Sequence, residues 1–202
     1  KKQLIKSMGA GKQIGGGRLR IKRPERQYNF NDFAGGKAKP YKKEMTHRHS
    51  LKNPFLEGGL QTIIGRSTRA FVARHPGISE KTIKKIIDDI AGFELVSVGY
   101  KTAVDAYAKQ TAEDIFKTRK VPIIYLQGIR PGGEIFSYPG WGCNALCTAL
   151  SAALRAKGIP AAFVRLNKLN DGTLGAKQGV KHAVVLFMLG KKQFIADPFE
   201  KS

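Results

Sequence analysis

Residues 138–166 read YPGWGCNALCTALSAALRAKGIPAAFVRL and hold both cysteines of the chain, Cys143 and Cys147, and its only tryptophan, Trp141. A Gly- and Pro-rich approach gives way at Cys143 to an apolar run. Leu146, Leu150 and Leu154 recur every four residues, with alanines filling positions between them. The spacing predicts a compact helix over residues 143–157. Gly158 closes it and Ile159-Pro160 cannot continue it. AAFVRL then reads as a strand. A disulfide between positions i and i+4 of one helix has poor geometry, and two cysteines make no disulfide framework. Reduced thiols point to an intracellular protein. Cys143 sits where loop becomes helix, and there unpaired backbone N–H groups and the macrodipole favour a thiolate. Cys147 faces the core one turn below and is expected to be a buried small hydrophobe.

A thiolate nucleophile needs a proton shuttle. His182 is the candidate, the only histidine in the C-terminal part of the chain. KHAVVLFML reads as a strand, GKK as a turn, and QFIAD as a strand stopping at Asp197-Pro198. With a two-residue loop at Leu189-Gly190, His182 and Asp197 stand directly opposite each other, their Cβ atoms about 5 Å apart. Asp197 would fix the imidazole tautomer and stabilise the imidazolium. An oxyanion would be received by the Cys143 N–H at the helix start. Gln127, Tyr138 and Trp141 are the candidates for a side-chain donor.

These residues resemble the transglutaminase-like superfamily of papain-fold cysteine enzymes. The segments that carry the likeness are Gly142-Cys143 opening a helix, Cys147 at the small position four on, and Leu154-Arg155. Gly158-Ile159-Pro160-Ala161, His182-Ala183 and Asp197-Pro198 follow in order. The likeness covers residues 139–199 and none of residues 1–78. Val184 stands where an aromatic often follows His-Ala, and Ala162 where an arginine is usual, which bears on substrate preference. The resemblance implies an α+β, papain-like domain with helices packed on an antiparallel sheet and the cysteine helix against the His–Asp hairpin. It implies a Cys143–His182–Asp197 triad that transfers acyl groups through a thioester. Water is the default acceptor, so a peptidase or amidase acting on a peptide or protein is the leading expectation, with no cofactor. Two alternatives stand beside it. One is a protein-crosslinking transglutaminase, although no dense acidic loop suggests calcium. The other is a nucleic-acid-associated or structural protein with the papain-like domain as scaffold.

Upstream, residues 1–55 carry 15 Lys/Arg against Glu25, Asp32 and Glu44, a net of +12 out of +21 for the 202-residue chain. The segment mixes Gly, Pro and cations with few apolar residues, so an irregular arm is expected there and a catalytic domain over residues 56–202. Arg18, Arg20, Lys22, Arg23, Lys42 and Lys43 would contact nucleic acid or another polyanion. The chain would then work in the cytoplasm or inside a nucleic-acid-containing particle. MGAGKQ fails as a P-loop because Gln follows Lys12, and His47 and His49 lack companion ligands, so no metal site is expected. The longest purely apolar run, residues 183–189, is far below the roughly 20 residues that span a bilayer. GISEKTIKKIIDDIAG predicts a helix from a Ser79 cap to Gly92, residues 102–120 a second helix, and VPIIYLQG a short strand. Residues 129–142 read as a loop with several turn signals.

Overall fold

The computed structural model describes residues 59–129, 133, 135–166 and 182–199; the basic arm of residues 1–55, with its six candidate polyanion contacts and His47 and His49, lies outside the described residues. After a 3-10 turn at Leu60–Thr62 come α1 (Arg66–Ala73), α2 (Glu80–Ala91), β1 (Glu94–Ser97), α3 (Tyr100–Lys109) and α4 (Ala112–Thr118). Then follow β2 (Lys120–Ile129), β3 (Ile135–Gly140), α5 (Gly142–Ala156), β4 (Ala161–Leu166), β5 (His182–Leu189) and β6 (Lys192–Ala196). The architecture is mixed α+β.

Local signals explain most boundaries. Ser79 Oγ accepts from the Thr82 N–H at 3.1 Å and starts α2, whose Ile83, Ile86 and Ile90 are buried. The single helix expected over residues 102–120 is two helices. Thr111 caps α4 through a reciprocal capping box with Asp114 (3.2 and 3.0 Å), which ends α3 at Lys109. Helix α1 has no side-chain cap of its own. The Glu113 carboxylate from α4 fills that role and accepts from the N–H groups of Ser67 and Thr68 and from the Thr68 hydroxyl. Partial burial would raise the Glu113 carboxyl, but these hydrogen bonds outweigh it and hold it below its ordinary value.

The sheet arrangement departs from the expectation of one antiparallel sheet. Two three-stranded sheets form, ordered β1-β2-β3 and β4-β5-β6, and only the second is wholly antiparallel. β1 pairs parallel with the first residues of β2, with α3 and α4 as the crossover. The expected loop over residues 129–142 contains strand β3, antiparallel to the distal half of β2 (Ile124↔Gly140 to Ile129↔Ile135). Pairing across the sheet overrode the turn signal of YPG at residues 138–140.

Helix α5 is the hub. Every residue from Gly142 to Arg155 except Ala145 is buried, as expected for a helix enclosed on all sides. It packs on β4 and β5 on one side and on α1, α2 and α4 on the other. Leu146, Leu150 and Leu154 are at most 1% exposed, and burial of each contributes about 2–3 kcal/mol. Ala149, Ala152 and Ala153 leave room for the neighbours to close in.

Arg155 is buried in this helix. Its Nε donates to the Ala161 carbonyl (2.9 Å) and its Nη1 to Thr62 Oγ1 (2.9 Å), so one guanidinium ties α5 to both β4 and the 3-10 turn. Burial lowers its pKa to about 10, which leaves it charged at neutral pH. Charge-assisted bonds contribute about 1.5–3 kcal/mol each, so Arg155→Ala is expected to cost on the order of 3 kcal/mol in urea unfolding. Arg155→Lys should recover little, because an ammonium cannot reproduce the fork. Wild-type stability in the alanine variant would refute this structural role.

Candidate active site

Strand β5 brings His182 to the start of α5, and the β5–β6 hairpin brings Asp197 to His182. The hairpin register differs from the expected one. Its two-residue loop is Gly190-Lys191, with Leu189 opposite Lys192 and Val185 opposite Ala196. Gly190 takes φ +60°, a conformation open to glycine, at the first central position of the turn. The expected loop at Leu189-Gly190 would have put a leucine at that position. The shift is two residues, so sheet faces are preserved. The register extended past Ala196 puts Asp197 opposite Val184, and it meets His182 on the diagonal, not straight across. The ladder ends at Ala196, which leaves Asp197 able to turn.

His182 Nε2 and Asp197 Oδ2 form a short hydrogen bond and ion pair, with both side chains largely buried. The other carboxylate oxygen of Asp197 accepts from the Phe199 N–H at 3.1 Å, which fixes the carboxylate plane. Cys143 lies close enough to His182 to act on its charge state. With Nε2 committed to Asp197, the nitrogen left for the sulfur is Nδ1. Cys143 and His182 are 6% and 7% exposed, so this contact is nearly dry. Burial disfavours the imidazolium. The hydrogen bonds to Asp197 and Cys143, with the negative charge of both, outweigh it and raise the His182 pKa to about 10. The ring is therefore protonated at neutral pH and provides the cation that a thiolate nucleophile needs.

No protein-family model, curated protein or solved structure matches this chain.

The approach to Cys143 is tightly built. Trp141, directly before α5, holds φ +72°, a left-handed conformation uncommon for a bulky residue and sustained only where the surrounding structure over-determines the backbone. Its ring lies between Tyr100 and Tyr107, with centroids 5.6 and 5.7 Å away, and these contacts hold the strained turn. At Gly142 a Cβ would come within 2.7 Å of the Phe199 ring and 2.9 Å of Ile123, so only glycine fits. Phe199 also meets the His182 ring edge-on at 6.4 Å, so it packs against both the start of α5 and the histidine. Cys147 does more than fill space: its thiol donates to the Ala183 carbonyl (3.2 Å), pinning α5 to the strand residue after His182.

The three side-chain donor candidates fare differently. Gln127 is exposed in β2 opposite Ser137, three register steps and about 10 Å along the ladder from Gly140, so it is not brought to Cys143. Tyr138 pairs with Leu126 through its backbone, and its side chain lies outside the described residues. Trp141 turns its ring to α3 and lines a shallow pocket with Tyr107, Gln110, Pro122 and Thr148. Asn144 lines the same pocket, and no sequence motif singles it out. It is 7% exposed, and its Nδ2 lies 3.8 Å from Cys143 Sγ. A polar residue directly after the cysteine, in a helix this apolar, was the available signal. Among the described residues, no cluster of His, Cys, Asp or Glu could hold a metal ion, and no helix is long and apolar enough to cross a membrane.

Proposed function

We propose that this chain is a cysteine acyl-transfer enzyme of the transglutaminase-like, papain-fold type, acting as a peptidase or amidase on peptide or protein substrates. The observation that carries the reading is one buried imidazole paired with the Asp197 carboxylate and close enough to Cys143 for that residue to raise its pKa. Cys143 attacks as the thiolate while His182 holds the proton. Sγ attacks the substrate carbonyl carbon, a C–S bond forms, and the carbonyl π pair moves to oxygen. The N–H of Cys143, in the first turn of α5 with no intrahelical acceptor, faces that oxyanion. The C–N bond then breaks, the nitrogen takes the His182 proton and the amine leaves, with the acyl group as a thioester on Cys143. Neutral His182 takes a proton from water as its oxygen bonds to the acyl carbon. The C–S bond breaks and the thiolate–imidazolium pair is restored with release of the acid. Asp197 orients the ring throughout.

The test is a stopped-flow reaction with p-nitrophenyl acetate. It should show a burst of p-nitrophenol equal to the enzyme concentration and an acetylated Cys143 peptide by mass spectrometry. Label spread over lysines with no burst would defeat the reading.

The charge of residues 1–55 supports an additional partner. A net of +12 with little apolar content suits nonspecific binding to nucleic acid or another polyanion. Affinity should fall steeply with salt, because each phosphate contact releases counterions. Deletion of residues 1–50 should abolish DNA and RNA binding at about 150 mM salt and leave the burst intact. Unchanged binding after the deletion would refute the arm's role.

A further inference from the structure

We propose that Asn144 is a catalytic residue, the side-chain donor that receives the oxyanion formed when Cys143 attacks a carbonyl. The inference rests on the acyl-transfer reading above and adds to it the group that completes the anion site.

Three observations place Asn144 there. Its Nδ2 is 3.8 Å from Cys143 Sγ, on the atom that reacts. Donors act at about 2.7–3.1 Å from the oxyanion, and that oxygen is two bonds from the sulfur. A nitrogen 3.8 Å from Sγ lies within the span of such an oxygen. The side chain is also buried, and its Nδ2 donates to the Cys143 sulfur. The residue's backbone groups are already engaged elsewhere: its N–H donates to the Trp141 carbonyl (3.1 Å) and its carbonyl accepts from Thr148 Oγ1 (2.7 Å). The side chain is therefore not needed to build the helix start and is available to the chemistry.

The geometry also sorts the alternatives. Gln127 is too far along β2, and the Trp141 ring is packed between two tyrosines. Asn144 and the Cys143 N–H lie in the same first turn of the helix, and His182 comes from β5. As Sγ bonds to carbon, the carbonyl π pair moves to oxygen, and that charge is shared by the Cys143 N–H and the Asn144 Nδ2–H. Neither proton is transferred, and collapse of the adduct returns the pair to the C=O bond.

Two reagents separate this role from a structural one. Acetylation by p-nitrophenyl acetate passes through an oxyanion, whereas alkylation by iodoacetamide is a displacement at sp³ carbon and forms none. Both need the same thiolate–imidazolium pair. In Asn144→Leu, similar in shape with no donor, the rate of the p-nitrophenol burst should fall about 10²–10³-fold, as for loss of an oxyanion-hole donor. The rate of Cys143 alkylation near neutral pH should stay within about threefold. Asn144→Ala serves as the second variant if the leucine disturbs packing. An unchanged acetylation rate in either folded variant overturns the proposal. A parallel fall of both rates also overturns it, because Asn144 would then act on the thiolate or on helix geometry. Absence of a Cys143-dependent burst in the wild-type chain would instead remove the acyl-transfer reading on which the proposal stands.

Discussion

Cys143→Ala is expected to abolish acyl transfer, with loss of the burst beyond about 10⁴-fold, as when a nucleophile acting in a triad is removed. The fold should survive, because the side chain is small and the helix is held by Leu146, Leu150 and Leu154 behind it. Cys147→Ala provides the contrast. It should keep the burst within about tenfold and lower stability by roughly 1 kcal/mol, the value of one buried hydrogen bond, here to the Ala183 carbonyl. The two thiols are one helical turn apart and both buried, so chemical accessibility cannot separate them; only the contact with His182 does. The check is burst amplitude and urea midpoint for both variants. Equal loss of activity in two folded variants would argue against a single nucleophile and for a dithiol unit.

His182→Gln should reduce the acylation rate by at least about 10³-fold and remove a pH-dependent part of the stability. The folded-state pKa of about 10 lies above the ordinary value of 6.5. The imidazolium's contribution is therefore complete below about pH 6.5 and is lost as pH rises through about 10. A tenfold gain in proton affinity on folding corresponds to about 1.4 kcal/mol, so the wild-type chain should lose on the order of 3–5 kcal/mol more than the glutamine variant across that window. Glu113 gives the opposite sign. Its lowered pKa contributes stability above the ordinary carboxylate range and loses it on acidification. Urea midpoints of wild type and His182→Gln from about pH 6 to about pH 10 provide the test. Parallel curves would mean that Asp197 and Cys143 do not hold the proton on His182.

The α+β class and the central helix were legible in the chain because both rest on local patterning. Leucines every fourth residue, alanines between them and a glycine stop leave one reading for residues 143–157, and α5 runs from Gly142 to Ala156. The Ser79 cap and isoleucine stripe marked α2 equally well. The capping box at Thr111 was also present in the sequence as T-x-x-D, although the longer periodicity of residues 102–120 masked it. Strands β1 and β3 were not legible. Leu95 is 41% exposed and Ile135 65% exposed, so neither strand carries a clean alternating pattern, and each exists because β2 offers it a partner.

The site divides along the same line. Residue order and spacing alone singled out Cys143, His182 and Asp197, because a nucleophile at a helix start and a His–Asp hairpin have sequence signatures. How they meet was decided in three dimensions. Gly190 takes the positive φ of the turn and moves the hairpin register by two, so Asp197 reaches His182 diagonally. Phe199 fits over Gly142 because no Cβ is there, and Cys147 pins the strand that carries His182. Asn144 approaches the sulfur from the first turn of α5, beside the pocket it lines with Trp141. Side-chain type and spacing made Cys143, His182 and Asp197 candidates from the sequence alone, and Asn144 was not among them. Which hydrogen bonds they make depends on register, close packing and the shape of a buried turn. Those are set by contacts between segments far apart in the chain, and only the tertiary structure decided them.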